Sequence, residues 1–481
     1  MSLASRRRQG RASVAVVAAS LVLSLGLAGG SPAVAAERPP AADPSGAGAE
    51  AAVLGGLRGP AVGPDGSAET AVDALAADAT AAGAGGSAAA RGAGDAAPAA
   101  AGDLAVTGRG FGHGIGLSQY GAKGRAEAGK TAQQIVQAYY WGTSAGTASD
   151  ARAIDVWLTA DTDGALNVVR EAGLRLRGSN PAKGVTRSLV TLPATVSGAT
   201  PDRWRVKRAS GAWRVQARAK GAWVNVSTAA IRATLSGATR VTVTSADGTV
   251  RNVVGSTARQ YRGKLSANLD QRTVRVTATT TFTHYLRSVV PSEMPTYWHA
   301  QALGAQAIAA RTYASYERAS SYRPWWYDTC DSASCQVFRG EADYTTSGSL
   351  VATYVWSATN KAVAATAGQV RTYGGKPAFT QFSASNGGYT VKGSQPYLRA
   401  FADPYDEFDV WKRTVTASQV AAAYGIGTLR TVTFTRDGKG AYGGRVKTIT
   451  LTGSSGTRTV TGDSFRITFG LLSTLFTAKV G

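Results

Sequence analysis

The sequence predicts an α+β fold: a β-rich domain with one central packed helix carrying the site, a β-rich insert ahead of it, and a disordered N-terminal tether. Three observations predict it. From about 152 to 282 apolar and polar residues alternate, the period of half-buried strands. From Trp298 through Ala302, Leu303, Gln306, Ala307, Ala310 and Tyr313 the spacing turns helical, with mostly small side chains on the packed face. Residues 37–101, by contrast, are Ala, Gly, Pro and Ser with almost no aromatic or β-branched side chains, too little apolar surface to offset chain entropy.

In chain order, residues 1–36 carry Arg6, Arg7, Arg8 and Arg11, an apolar run from Val14 to Leu27, and small residues ending at Ala35 and Ala36. That is the layout of a cleaved secretory signal peptide. No other run approaches the length of a bilayer span, so no stable membrane span is expected after cleavage, and the chain is expected to be secreted. The formal charge is +22; the leader holds +4 of it and residues 37–101 hold −5, which leaves +23 on the remainder. Such a surface needs an anionic partner. For an exported chain that partner is an anionic wall polymer and not nucleic acid.

Residues 102–150 open with alternate glycines from Gly108 to Gly116 around His113, one of three histidines, and backbone can approach closely there. Gly124 to Thr131 then satisfies the P-loop pattern, but the residues ahead of it are polar and glycine-rich where that loop needs a buried strand. Thr131 with Gln134 reads instead as a capping box opening a helix through Ile135, Val136 and Tyr139. The β-rich insert, 151–258, includes Trp204, Trp213 and Trp223 at strand spacing, with Gly-Ala-Trp at 211 recurring at 221. Tryptophans so placed pack within a sheet or form a platform for sugar rings; packing is the expectation.

The last segment, 259–481, begins with strands around Tyr261 and Thr273 and reaches Pro291 and Pro295, each of which fixes φ. Glu293 between them is expected in a stiff connection ahead of the helix, beside Met294, Tyr297 and Trp298. Apolar neighbours raise a carboxyl pKa, and a carboxyl partly protonated near neutrality can donate a proton to a leaving oxygen. His299 is a candidate neighbour of that carboxyl. Cys330 and Cys335, the only cysteines, are expected to form a disulfide in an oxidising compartment. Phe379 to Thr390 reads as a hairpin turning at Asn386-Gly387; Ser383 and Ser385 there would be nucleophiles in a serine hydrolase, but no nucleophile-elbow pattern surrounds them. Asp403, Asp406, Glu407 and Asp409 are expected on a surface loop, since EF-hand spacing is missing.

YLRSVVPSEMP at 285–295 followed by ALGAQAIAARTYA at 302–314 resembles the core signature of the SpoIID/LytB family, the sporulation stage II protein D and amidase-enhancer group that acts on peptidoglycan. GHGIGLSQYGA at 112–122 is similar to a second motif of that family, commonly found towards the domain's C-terminal end. Here it comes first, which suggests a circularly permuted or displaced version. The resemblance implies that Glu293 is the acid of a lytic transglycosylase. It also implies sugar contacts from His113, Gln119 and Tyr120, from Gln336 on the cleft wall, and from the loop with Ser383, Ser385 and Tyr389. Ser334 stands where zinc-binding members have a histidine, and two thiolates make a poor zinc site, so neither metal nor cofactor is expected. His284 replaces an acidic residue of the family pattern and is given no role. The implied partners are peptidoglycan glycan strands. The alternative is a non-catalytic wall-binding protein that recruits or enhances a cell-wall amidase, and a hydrolytic muramidase would need Asp403 or Asp406 as second carboxylate.

Overall fold

The computed structural model describes residues 102–320 and 323–481; the expected signal peptide, 1–36, and tether, 37–101, lie outside them. Among the described residues no helix is long and apolar enough to cross a membrane. The fold is mixed α+β and rich in strands. One eight-stranded sheet runs Ala222–Asn225, Ala212–Ala219, Arg203–Ala209, Ala165–Val169, Thr249–Val254, Thr257–Arg262, Ala342–Thr345, Leu350–Thr353. A second runs Thr329–Cys330, Ala153–Trp157, Thr273–Thr281, Lys264–Asp270, Arg240–Thr244, Arg175–Asn180, Val185–Thr186, with Val190–Thr191 also paired to Arg175–Asn180. Segment 151–258 therefore supplies strands to both sheets, interleaved with strands from beyond 258.

Period-two patterning explains why one core forms between these sheets. Leu166, Val168, Trp204, Val206, Val215 and Val250 from the first join Ile154, Val156, Leu176, Val241, Leu265 and Val276 from the second. Trp204 and Trp213 are buried there, and Trp213 Nε1 donates to Ala238 O at 2.8 Å. These two rings pack, as expected of a half-buried sheet.

Eight helices are described: α1 (Gln119–Glu127), α2 (Ala132–Tyr139), α3 (Ala229–Leu235), α4 (Phe282–Glu293), α5 (Ala300–Ala319), α6 (Ser357–Ala365), α7 (Ala417–Tyr424) and α8 (Gly462–Thr468). The P-loop-like letters fall inside α1 and in the reciprocal Thr131–Gln134 cap of α2, so no phosphate loop exists there. The most deeply packed helix is α5, buried on nearly every side. Arg311 on it is fully buried and forms a bidentate pair with Asp150 at 2.7 and 3.1 Å.

A separate core forms where Leu104–Gly108 lies as the middle strand between Trp411–Val415 and Phe476–Val480, antiparallel to both. Leu104, Val106, Val415, Phe465 and Phe476 fill it. Gly102 N donates to Gly481 O at 3.2 Å and Gly481 N to Asp103 O at 2.8 Å, so the start and end of this part of the chain adjoin.

Two sequence expectations change. Glu293 precedes the central helix α5 but does not sit in a stiff connection between helices, nor on α5 itself: it is the last residue of α4, with Pro291 inside the final turn. Tyr285, Leu286, Val289 and Val290 bury one face of α4, and that burial outweighs the proline's missing N–H. The second change is at Phe379–Thr390, which is not a hairpin. Phe382–Ser383 pairs in parallel with Leu117–Ser118, Phe111 bridges Ser385 and Tyr389 bridges Ala402. The glycine-rich motif takes the hydrogen bonds that a hairpin partner would have used.

Candidate active site

The site is assembled by α4, α1 and the segment after the disulfide. Thr281 caps α4, accepting from His284 N, and Met294 leaves it in an extended conformation. This termination fixes Glu293, partly exposed, at the helix end. Cys330 and Cys335 are bonded to each other, and Phe338 N donates to Asp331 O at 3.1 Å. Arg339 N donates to Ser288 Oγ at 3.1 Å, stitching the same segment to α4. Between those two anchors, Val337 N donates to Glu293 Oε1 at 2.8 Å.

The glycine motif completes the surroundings. Ser118 caps α1 by accepting from Gly121 N, and the buried Gln119 at the start of that helix acts on Glu293, lowering its pKa. Next along the chain, Tyr120 packs edge-on against Trp298 and Phe408, with centroids 4.9 Å away in each case. Gln119 and Val337, far apart in the sequence, thus meet at one carboxyl.

Burial pushes the Glu293 pKa up to about 7, against the lowering effects of the Val337 N–H, the Arg339 charge and the Gln119 side chain. Desolvation outweighs two hydrogen bonds and a cation together. The result is a carboxyl that is about half protonated at neutral pH.

The remaining residues singled out from the sequence separate into two groups. His113 accepts from Ile115 N at its Nδ1 (2.9 Å), within a loop where Gly114 N donates to Ser383 Oγ at 3.2 Å. Tyr389 is partly exposed beside Gly440. By contrast, Gln336 is 1 % exposed, with Oε1 accepting from Tyr285 Oη at 2.8 Å, so it lies behind the site and not on a cleft wall. Ser385 is fully buried and donates to Asp406 Oδ1 at 2.7 Å. His299 caps α5, its Nδ1 accepting from Gln301 N at 3.2 Å. His284 Nδ1 lies 4.0 Å from Glu341, with its pKa lowered first by burial.

Asp403 and Asp406 are not on a surface loop. Asp403 is fully buried and accepts from Tyr139 Oη (2.5 Å), Arg125 Nη2 (2.9 Å) and Asn386 Nδ2 (2.8 Å). Asp406 accepts from the Ser118 and Ser385 hydroxyls, each at 2.7 Å, and from Asn386 N at 2.6 Å. Glu407 and Asp409, which share the acidic run, are exposed, and a charged run gives no signal for which members turn inward. Both carboxylates are occupied in bracing α1 against the 383–388 segment. Among the described residues no three His, Cys, Asp or Glu side chains are grouped to hold a metal ion. Sequence reasoning missed Arg339 and the Val337 N–H; a backbone donor carries no sequence signal at all.

Residues 270–373 match the family model described as Stage II sporulation protein. The chain is 35% identical over 142 residues to an amidase enhancer of Bacillus subtilis (strain 168), covering 28% of this chain and 17% of that protein. It is 60% identical over 40 residues to the stage II sporulation protein D of the same organism, covering 8% and 12% respectively. An uncharacterized protein of Brachyspira hyodysenteriae is 35% identical over 106 residues, covering 22% of this chain and 26% of that protein. The chain thus spans about a quarter or less of the length of these relatives.

Proposed function

Because the chain belongs, through residues 270–373, to the SpoIID/LytB family, we propose that it acts at the cell wall as a lytic transglycosylase on peptidoglycan glycan strands. Glu293 is the acid in this reading. Its carboxyl donates a proton to the glycosidic oxygen, the bond to the muramic acid anomeric carbon breaks, and that sugar's own 6-hydroxyl attacks the same carbon. The hydroxyl's proton returns to Glu293, and the products are a 1,6-anhydro end and a free hydroxyl end, with no water consumed.

The observation that carries the proposal is the Glu293 carboxyl, held near neutrality by burial at the junction of α4, α1 and the segment after the disulfide, with the Val337 N–H donating to it. A hydrolytic pair would need a second free carboxylate, and Asp403 and Asp406 are saturated by internal donors. Tyr120 and His113 of the glycine motif, and Tyr389 of the 379–390 segment, are proposed to contact sugar hydroxyls, while the buried Gln119 orients the Glu293 carboxyl. Ser383, Ser385 and Gln336 hold those segments in place.

Purified peptidoglycan digested with the wild-type chain should release anhydromuropeptides, identified by mass, and E293Q should release none while keeping its fold. Products heavier by one water would replace the lyase with a hydrolase. The similarity to an amidase enhancer supports a second reading, recruitment or stimulation of a cell-wall amidase. In that case E293Q would stimulate an added amidase as well as wild type does, and neither would cut glycan alone.

A further inference from the structure

Strands Arg203–Ala209 and Ala212–Ala219 turn Trp204, Val206, Trp213, Val215 and Ala217 into the core. The opposite face carries Arg203, Arg205 and Lys207 from the first strand and Arg214, Gln216 and Arg218 from the second. Their register sets Arg203 against Arg218, Arg205 against Gln216 and Lys207 against Arg214. Two of these three cross-strand pairs oppose like charges, an arrangement that costs stability in an isolated sheet. Asp202 offsets Arg218 at 3.2 Å, but both side chains are well exposed and such a pair contributes little. The Arg205 guanidinium is fixed, stacked 4.0 Å from the Trp223 ring centroid with its Nε donating to Asn167 Oδ1 at 2.7 Å.

We propose that this sheet face binds an extended phosphodiester polymer of the cell wall. The cations form a lattice with spacings of roughly 5 Å across the strands and roughly 7 Å along them. Arginine, which supplies four of the five, offers paired N–H donors that match the two non-bridging oxygens of a phosphodiester. A polymer with its charges in its own backbone can lay successive phosphates along such a lattice, gaining by multivalency what isolated carboxylates on short peptides cannot. Neutralisation by the polymer would also relieve the repulsion between facing arginines. The inference takes from the proposed function only the setting at the wall and does not depend on the chemistry at Glu293.

The test uses E293Q as the background, at low temperature and with release of soluble muropeptides monitored, so that binding is read on walls shown to be intact independently of the catalytic proposal. Binding is measured to poly(glycerol phosphate), to poly-glutamate, and to walls before and after hydrofluoric acid removes their phosphodiester polymers. R203Q/R214Q/R218Q should weaken phosphate-polymer binding at least tenfold and flatten the slope of log K against log salt by about 2. R430Q/K447Q/R458Q, which removes equal charge from exposed positions on the sheet formed by 429–461, should bind as the background does. Equal losses in both triple variants, equal binding to poly-glutamate, or binding indifferent to acid stripping would each overturn the proposal. Should the first triple variant melt early, the exposed single substitution R214Q, read by the same salt slope, decides.

Discussion

At the scale of single residues, the balance at Glu293 makes two measurable statements. A proton donor with a pKa of about 7 loses activity as pH rises through that value, so glycan cleavage should fall on the alkaline side. The Arg339 charge lowers this pKa, so R339Q should move the falling limb of the pH–rate profile to higher pH. A limb that stays in place would show that Arg339 does not act on the carboxyl. Stability follows from the same shift. Between about 4.5 and 7 the folded chain holds a proton that the unfolded chain has released, so raising pH across this window destabilises the fold. E293Q removes that slope and should be more stable than wild type at pH 8 by on the order of 2 kcal/mol, discounted for partial exposure. Urea melts of both proteins at pH 5 and pH 8 check it, with little difference expected at the lower pH.

At the scale of elements, the site depends on how α1 is seated. Ser118 and Gly121 on its first turn touch the two buried aspartates, and a methyl at Gly121 would meet the Tyr139 hydroxyl and Asp403 Oδ2. D403A strands Arg125, Tyr139 and the Asn386 amide together, and should cost about 3–5 kcal/mol, read as a lower urea midpoint at unchanged m. Because Gln119 is carried on the same helix, cleavage should be lost before the protein unfolds. A full-strength D403A enzyme would separate the brace from the site. Much of this was legible: the capping box of α2 and the deep packing of α5 follow from patterns in the letters, and sugar-binding roles for the glycine motif were implied only by the family resemblance. The hairpin and the surface loop were misread because a short apolar strand or an acidic run does not announce which distant segment will take its hydrogen bonds.

At the scale of the whole molecule, the early position of the glycine motif has a structural explanation. Its strand, Leu104–Gly108, is the middle of a sheet whose other members lie beyond residue 410, and the backbone near residue 102 is bonded to Gly481. The spatial arrangement therefore does not need the motif to be first. A permutant beginning at Lys130, with residues 103–129 attached after Gly481 through a short Gly-Ser linker, should fold with a Tm within a few degrees of the parent and keep its cleavage activity. The cut falls at exposed Gly129, where φ is +78° and no packing is broken. Loss of cooperative melting would mean that the order of segments itself is required.

The sequence by itself determined the strand and helix periods, the α+β class and the cationic balance, because each is written in the spacing or the type of neighbouring residues. Only the tertiary structure decided that Pro291 lies within a helix, that Asp403 and Asp406 turn inward, and that Val337 offers its N–H to Glu293. Those outcomes depend on which remote groups remove water from a side chain or supply its hydrogen-bond partner, and desolvation and partnering are properties of packed neighbours and not of adjacent letters.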